Sequence, residues 1–282
     1  MSLLSPADIR RLAATLGIRP TKQLGQNFLH DPNTIRKIVA LSGAAVGDRV
    51  VEIGPGLGSL TLGLLDVGAW VEAIEIDPAL SSALTATTAE FQPDAVDRLT
   101  VRTADALHLT ELDSAPSLLV ANLPYNVSVP VLLHFLGTFP TIERGLVMVQ
   151  AEVAQRLCAA PGSRVYGVPS AKAAWFAELT LAGTVSRNVF WPVPNVDSLL
   201  VRFVRHAPPA PNDRGVVFEV IDAAFAQRRK QLRAALGAWL GSPGQAEVIL
   251  IAAGIDPTLR GEALSITDFA AIGAAVEGTR HR

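Results

Sequence analysis

Asn122, Leu123, Pro124 and Tyr125 form a tetrad whose residue types could present an aromatic amino group for substitution. Such a nitrogen is a poor nucleophile because its lone pair is delocalised into the ring. The Asn122 side-chain oxygen and the backbone carbonyl of Leu123 or Pro124 could accept its two N–H groups and draw it toward tetrahedral geometry. Tyr125 could stack on an extruded base. Methyl transfer from a sulfonium would then require positioning rather than a strong base. The alternative is an ordinary loop turn.

A glycine-rich segment, Glu52 to Gly58, follows a strand-like run and precedes a helical pattern. In α/β folds this arrangement brings the backbone close to a nucleotide-like ligand. Glu75, which stands 21 residues after Gly54, could accept hydrogen bonds from both ribose hydroxyls. The same features would also fit a dinucleotide-binding oxidoreductase. However, the glycine fingerprint of that class requires a third glycine at the position where this chain has Ser59. The acidic Glu52 also suits a ligand with a cationic amino-acid end better than a pyrophosphate. A purely structural turn is the third alternative.

Two further positions could complete such a site. Asp105 follows the third strand-like run and could accept a hydrogen bond from the amine of a bound adenine, although a helix N-cap is an equally common role for Asp. Phe190 opens an aromatic and proline-rich segment that ends at Ser198. Its ring could form the second wall of a slot for the base. Packing in the core is the alternative for this phenylalanine.

Basic residues are concentrated near the two ends of the chain. Residues 1–40 carry a net charge of +4, residues 41–211 a net charge of −6, and residues 212–282 are balanced. The candidate phosphate-binding groups are an N-terminal basic arm, Arg10, Arg11, Arg19 and Lys22, and a C-terminal cluster, Arg228, Arg229, Lys230 and Arg233. Phosphate contacts of this kind position a nucleic acid without reading its sequence. The alternative is a solvated helix face.

The composition excludes several other classes. Apolar residues make up 49% of the chain and charged residues 18%, which is typical of a globular protein. Cys158 is the only cysteine and the histidines form no ligand spacing with it, so we expect no disulfide and no metal site. No apolar run reaches membrane-spanning length, and the first residues do not resemble a signal peptide. We expect a cytoplasmic protein with no membrane partner.

Apolar runs alternate with helical patterns over the middle of the chain, which predicts an α/β fold with a parallel sheet. The predicted strands are 49–53, 70–76, 99–102, 118–121 and 145–149, and the predicted helices are 59–67, 78–88, 128–136 and 151–157. Strands at 174–181 and 198–204 lack a crossover helix between them, so we expect an antiparallel hairpin at the end of the sheet. Cap signals predict two earlier helices, one starting at Ser5-Pro6 and one at Asp31-Pro32.

A proline-rich, polar stretch over 205–213 has the composition of a linker. After it only helical patterns occur, at about 216–226, 230–240, 244–253 and 265–277. We therefore expect two domains. Residues 1–207 would form the α/β domain with the N-terminal basic arm, and residues 208–282 would form a small C-terminal all-helical domain that docks RNA or a ribosomal particle.

Taken together, these motifs resemble the ribosomal RNA adenine dimethyltransferase family from about Lys22 to Ser265. The matching segments are Gly25–Leu29, Glu52–Gly58, Glu75–Asp77, Asp105, Asn122–Asn126, Gln150–Val153, Phe190–Ser198, Arg228–Lys230 and Arg260–Glu262. Two positions depart from the family pattern. Val129 replaces a small polar residue, and an Arg-Leu or similar pair is missing from 166–170. The second departure concerns RNA contacts rather than the chemistry.

The resemblance implies a Rossmann-like S-adenosylmethionine-dependent methyltransferase domain with a small C-terminal helical domain. The residues it places at the S-adenosylmethionine site are Asn27, Leu29, Gly54, Glu75, Asp105 and Asn122. It gives Asn122 and Tyr125, with Phe190 facing them, the task of holding the target adenine. It also implies N6-dimethylation of two adjacent adenosines near the 3′ end of 16S rRNA, within a pre-small-subunit ribosomal particle, during ribosome biogenesis. We expect the enzyme to act as a monomer.

Three alternatives remain at this stage. A methyltransferase of large-subunit rRNA, of the macrolide-resistance type, resembles the chain through the same tetrad. Such enzymes tend to be strongly basic, whereas this chain has an isoelectric point near 6.2. An NAD-dependent oxidoreductase would not explain Asn122 and Tyr125. A noncatalytic ribosome-assembly factor would have no need for intact cofactor and tetrad residues, although an assembly role could coexist with catalysis.

Overall fold

A computed structural model describes residues 2–18, 27–124, 126–211 and 213–280. The chain divides into two compact units. The first unit comprises Met1–Ala154 and Thr180–Arg205, and the second comprises Gln155–Leu179 and His206–Arg282.

The order of elements alternates strands and helices through the first unit and becomes helical after residue 205. The strands are β1 Phe28–Leu29, β2 Arg49–Ile53, β3 Trp70–Glu75, β4 Leu99–Thr103, β5 Leu118–Asn122, β6 Arg144–Gln150, β7 Ala177–Val185, β8 Phe190–Trp191 and β9 Ser198–Arg205. The helices are α1 Pro6–Thr15, α2 Pro32–Ser42, α3 Ser59–Asp66, α4 Pro78–Phe91, α5 Ser128–Thr138, α6 Ala151–Leu157, α7 Val168–Ala174, α8 Arg214–Ala226, α9 Leu232–Leu240, α10 Pro243–Ala252 and α11 Ile266–Arg280. The expected mixed α/β class is confirmed.

The main sheet has the strand order β4-β3-β2-β5-β6-β9-β7. Strands β2 to β6 pair in parallel, and β9 pairs antiparallel with β6. An antiparallel strand is therefore present near this end of the sheet, where β9 runs against β6 and β7 lies beside β9. The order reverses between β2 and β5, and a parallel sheet opens a ligand crevice at such a switch point, beyond the carboxyl ends of the strands. Both strands are buried along almost their whole length, as strands covered on two faces must be.

Local capping chemistry fixes where α1 and α2 begin and end. The Ser5 hydroxyl accepts from the Asp8 N–H, and the Asp8 carboxylate accepts from the Ser5 N–H, which forms a capping box. Asp31 accepts from the Thr34 N–H at the start of α2. Gly43 ends α2 with a φ of 71°, a conformation that favours glycine. These boundaries agree with those expected from the sequence.

The sequence expectations differ from the structure in four elements, α7, β7, β1 and β8. Helix α7 was not expected, and the strand expected at 174–181 begins later and extends to Val185. Trp175 and Phe176 are bulky apolar residues whose local pattern suits a strand, but both are buried outside β7. Strands β1 and β8 were also not expected. They form a separate two-stranded sheet in which Phe28 pairs with Trp191 and Leu29 with Phe190.

The second unit is held together in part by aromatic contacts with helix α8. The Tyr166 ring lies 5.9 Å from the Phe225 ring, and the Tyr166 hydroxyl donates to the Leu264 carbonyl. Phe176 meets Phe218 edge-on at 5.9 Å. These contacts explain why residues 155–179 belong to the same compact unit as 206–282. The expected division at 207/208 had assigned that segment to the first domain.

Candidate active site

A cavity lies in the first unit, beyond the carboxyl ends of β2, β3 and β5. Its lining includes every residue expected at the cofactor site, namely Asn27, Leu29, Gly54, Glu75, Asp105 and Asn122. Gly54, Glu75, Asp105 and Asn122 follow or end four different strands whose carboxyl ends meet at one edge of the sheet, and the segment with Asn27 and Leu29 adds a wall from outside that sheet.

The glycine loop passes through conformations that other residues rarely adopt. Gly54, Gly56 and Gly58 have φ values of 67°, 58° and 94°. A Cβ at Gly56 would lie 3.0 Å from the Phe28 ring, and one at Gly58 would lie 2.7 Å from a methyl group of Leu84. The loop can therefore stay close to its neighbours and to the cavity only if these positions remain glycine.

Glu75 ends β3 with its carboxylate held by backbone donors. One oxygen accepts from the Gly56 N–H at 3.1 Å and the other from the Asp77 N–H at 3.0 Å. The residue is 5% exposed, and burial raises the pKa of its carboxyl group even though the backbone hydrogen bonds act in the opposite direction. Because a carboxylate has about four acceptor sites, Glu75 can still accept from two further donors in the cavity.

Glu52 lines the same cavity from β2. It is 1% exposed, and its carboxyl accepts from the Thr61 hydroxyl at 2.7 Å. Burial and, to a lesser extent, the nearby Glu75 raise the pKa of Glu52, the Thr61 hydrogen bond lowers it, and the resulting pKa is about 8. Around neutral pH the Glu52 carboxyl is therefore largely protonated, and a cationic group beside it would favour its ionised form.

Asp105 serves two local contacts besides lining the cavity. One oxygen caps a short 3-10 helix by accepting from the Leu107 N–H at 2.9 Å. The other lies 3.0 Å from Nδ1 of His108, whose side chain is exposed. Both the expected adenine acceptor and its alternative, a helix cap, are thus geometrically compatible with this residue.

Asn122 ends β5 with its side chain directed to the N-terminal segment. Its Nδ2 donates to the Asn27 backbone carbonyl at 3.2 Å. The following turn is held by the Leu123 N–H, which donates to Met148 at 3.1 Å, and by the Pro124 carbonyl, which accepts from Val127. Pro124 also lines the cavity. The tetrad therefore begins at the edge of the cavity and its backbone is fixed on both sides of Pro124.

Of the two aromatic residues expected to hold the base, the structure describes one. Tyr125 lies outside the described residues. Phe190 is 1% exposed and packs in the core of the first unit rather than lining the cavity. Its strand, β8, nevertheless pairs with β1, so Phe190 is opposite Leu29 of the cavity wall.

Sequence reasoning missed two contributors to the cavity. Phe28 lines it and stacks against Trp191, with ring centroids 6.3 Å apart. Ser59 had been noted only as a departure from the dinucleotide fingerprint, but its hydroxyl is buried in the cavity wall and donates to the Leu29 carbonyl at 2.5 Å. A serine in place of the third glycine was the available signal, because a side chain there requires a partner when buried.

Within the described ranges, no group of three or more His, Cys, Asp or Glu side chains is placed to hold a metal ion. None of the helices described is both long and apolar enough to cross a membrane.

Fold and site together define a class of protein. A parallel sheet with an antiparallel β9, a glycine loop after β2, an acidic residue at the end of β3 and an Asn-led turn after β5 constitute a Rossmann-like methyltransferase. The chain belongs to the ribosomal RNA adenine dimethylase family, which matches residues 18–276. The family expected from the sequence motifs is thereby confirmed.

Known relatives agree with this assignment. The chain is 61% identical over 272 residues to ribosomal RNA small subunit methyltransferase A of Thermobifida fusca, covering 96% of this chain and 95% of the relative. It is 59% identical over 274 residues to the protein of the same name in Streptomyces coelicolor, covering 96% of each. A dimethyladenosine transferase from Plasmodium falciparum has the same fold, with a TM-score of 0.74, 23% identity and coverage of 87% of this chain and 95% of that one.

Proposed function

We propose that this enzyme transfers methyl groups from S-adenosylmethionine to the N6 atoms of two adjacent adenosines near the 3′ end of 16S rRNA. The observation that carries the proposal is the position of Asn122, whose side chain is fixed by Asn27 at the edge of the cavity that also contains Glu75. The names of the relatives favour small-subunit rRNA over large-subunit rRNA as the substrate.

The residues of the cavity fit S-adenosylmethionine. The remaining acceptor sites of Glu75 suit ribose hydroxyls, and Asp105 suits the exocyclic amine of an adenine. Glu52 suits the cationic amino group at the other end of the ligand. A Cβ at Gly54 would lie 3.8 Å from the Asn122 carbonyl oxygen and 3.9 Å from Pro124, so a side chain there would enter the gap between the glycine loop and the tetrad. When bound, this cofactor supplies an electrophilic methyl group on a sulfonium.

Catalysis by the chain's own residues consists of orienting the adenine amino group. The Asn122 Oδ1 accepts one of its N–H groups. Because the Pro124 carbonyl is already used by Val127, the Leu123 carbonyl is the better second acceptor. Two such acceptors turn the nitrogen lone pair away from the ring and hold it in position. The nitrogen loses its proton to solvent after transfer, so no strong base is required.

Base binding would depend on aromatic contacts near the tetrad. Tyr125 would stack on the extruded adenine, as flipped bases generally require. Phe190 would form the opposite wall, which requires its ring to become accessible when the base binds, because it is buried here. Phe190 also packs in the first unit's core, so a variant at this position tests both roles.

Substrate docking would rest on the exposed cations of the second unit. Arg228 donates to the Arg164 carbonyl at 2.6 Å and pairs with Glu262 at 3.2 Å, so it is bound within the protein. Arg229 and Lys230 are exposed, and neither forms an ion pair within the ranges that the structure describes. We assign phosphate contacts to these two residues.

The N-terminal basic arm is weaker support for docking. Arg11 pairs with Glu90 at 2.5 Å, and Arg19 and Lys22 lie outside the described residues. We propose that the partner is 16S rRNA within a pre-small-subunit particle, which would offer phosphates to basic residues from both ends of the chain. The enzyme would act there as a cytoplasmic monomer.

The test is methyl transfer from labelled cofactor to undermethylated small and large ribosomal subunits, followed by mapping of the modified bases. We expect label on two adjacent adenosines near the 3′ end of 16S rRNA and none on the large subunit. The Asn122→Ala variant serves as the inactive control. Label on the large subunit alone, or equal labelling by Asn122→Ala, would overturn the proposal.

A further inference from the structure

Ser59 is a buried polar residue at the first position of α3, immediately after the glycine loop, and it is only 4% exposed. Its hydroxyl donates to the Leu29 carbonyl, which belongs to β1 and lies 30 positions earlier in the chain. A serine is not required to start this helix, because the N-cap is Gly58, which makes no side-chain capping hydrogen bond. The hydroxyl therefore serves the contact with β1.

The residue immediately before this strand, Asn27, determines the orientation of Asn122. Two residues before Leu29, the Asn27 carbonyl accepts from Asn122 Nδ2. An amide side chain can offer either end, but a carbonyl partner accepts only from the NH₂ end. The contact with Asn27 thus fixes Nδ2 toward β1 and leaves Oδ1 as the end available to a substrate amino group.

The segment that bears both carbonyls is anchored at few points. Strand β1 is only Phe28–Leu29, and it pairs with the equally short β8. The His30 N–H donates to the Val189 carbonyl at 2.9 Å. A sheet of two residues per strand is marginal without packing or added hydrogen bonds. The Ser59 hydroxyl supplies such a bond from the rigid start of α3.

We propose that Ser59 is a positioning residue for Asn122: by holding the Leu29 carbonyl, it keeps the Asn27 carbonyl where it orients the Asn122 amide for catalysis. Ser59 touches neither the methyl group nor the adenine. This inference rests on the proposed function, because it assigns Asn122 the role of binding the reacting amino group.

A double-mutant cycle separates positioning from a merely structural role. The rate of a single methyl transfer to undermethylated small subunits, at saturating cofactor, would be measured for the wild type, Ser59→Ala, Asn122→Ala and the double variant. Loss of one buried hydrogen bond corresponds to about a 3- to 10-fold lower rate for Ser59→Ala. In the Asn122→Ala background the same change should alter the rate by less than about 2-fold, because the group it positions is absent.

A matched control is available in Ser42, another buried serine whose hydroxyl donates to a backbone carbonyl, that of Val39, within α2. Ser42→Ala should leave the rate unchanged in both backgrounds. If Ser59→Ala is too unstable to assay, Ser59→Cys keeps the shape and weakens the donor. Equal rate reductions by Ser59→Ala in the two backgrounds, or no reduction in the wild-type background, would overturn the inference. An Asn122→Ala enzyme with wild-type rate would instead overturn the proposed function.

Discussion

Glu52 and Glu75 stand on the adjacent parallel strands β2 and β3 and line the same cavity, yet their carboxyl groups are held differently. Glu75 accepts two backbone N–H groups, whereas within the described part of the chain Glu52 accepts from the Thr61 hydroxyl. Burial raises the pKa of both, and the charge of Glu75 adds to the increase at Glu52. The Glu75 carboxyl is therefore suited to neutral hydroxyl donors, whereas the charge of the Glu52 carboxyl beside it depends on whether the ligand brings a cationic group.

The first prediction concerns the stability of the ligand-free protein. The pKa of Glu52 is about 8 in the folded chain against an ordinary value of 4.5. Below pH 4.5 both states are protonated and the burial costs nothing. As the pH rises toward 8, the unfolded chain releases the proton first, so the free energy of unfolding falls, by at most about 5 kcal/mol. Denaturant titrations should show this decline in the wild type and a flatter profile in Glu52→Gln. Parallel profiles would contradict the prediction, and the exposed Glu111→Gln is the control.

The second prediction concerns cofactor affinity. Glu75→Ala removes acceptors for the ribose hydroxyls and should weaken S-adenosylmethionine binding by about 1.5–3 kcal/mol, as measured by isothermal titration calorimetry. Glu111→Ala, at an exposed position away from the cavity, should bind normally. Equal or tighter binding of a nicotinamide dinucleotide by the wild type would show that the cavity belongs to another class of enzyme.

The third prediction concerns turnover. Asn122→Ala should leave the dissociation constant of the cofactor nearly unchanged and lower kcat by about 100-fold or more, since a preorganised contact to the reacting group is lost. Asn33→Ala, on the exposed start of α2, should behave as wild type. A folded Asn122→Ala enzyme with normal kcat would mean that the methyl transfer occurs elsewhere.

The fourth prediction separates the two aromatic residues assigned to the base. Tyr125→Ala should lower kcat/KM by an amount equivalent to about 1–3 kcal/mol of binding free energy, the range for the loss of one stacking partner. Phe190→Ala should in addition reduce the free energy of unfolding by about 3–5 kcal/mol, because its buried ring leaves a cavity in the core. Kinetics and chemical denaturation on the same samples would test this. Unchanged stability of Phe190→Ala would be inconsistent with the packing described.

The fifth prediction concerns docking. Charge reversal of Arg229 and Lys230 to Glu should weaken binding to pre-small-subunit particles. It should also reduce the slope of the logarithm of the binding constant against the logarithm of the salt concentration by about one for each lost phosphate contact. Cofactor affinity should not change. The matched double variant, Arg36→Glu with Lys37→Glu at two exposed positions of α2, alters the net charge equally and should have a smaller effect. Normal particle binding by the Arg229 and Lys230 variant would mean that these two residues form a solvated surface and do not contact phosphates.

Much of the fold was predictable from the sequence because its signals are local. Ser5, Asp31 and Gly43 set helix ends through contacts within a few residues. The central strands are apolar runs that alternate with helical patterns, and this alternation predicts a parallel sheet. That residues 54, 75, 105 and 122 would line one cavity could be predicted because motifs at strand ends converge on one edge of such a sheet.

What the sequence could not predict depends on contacts between distant segments. Strands β1 and β8 are too short to show any periodicity, and they exist only because they pair with each other. The burial of Phe190 follows from that pairing. The engagement of Arg228 by Glu262 and Arg164 likewise could not be seen in a run of basic residues. Residues 155–179 belong to the second unit through aromatic contacts, and the linker-like composition of residues 205–213 gave no sign of this.

The pairing of β1 with β8 also sets an order of events during synthesis. Phe28 leaves the ribosome early, but its partner Trp191 follows only after every parallel strand of the sheet has been made. A nascent chain can therefore assemble β2 to β6 and the glycine loop while the wall formed by Phe28 and Leu29 still lacks its partner strand. Long-range contacts of this kind form late because the chain between them must first be ordered. The cavity wall that contains Phe28 and Leu29 should consequently be completed only after Phe190 and Trp191 have left the ribosome.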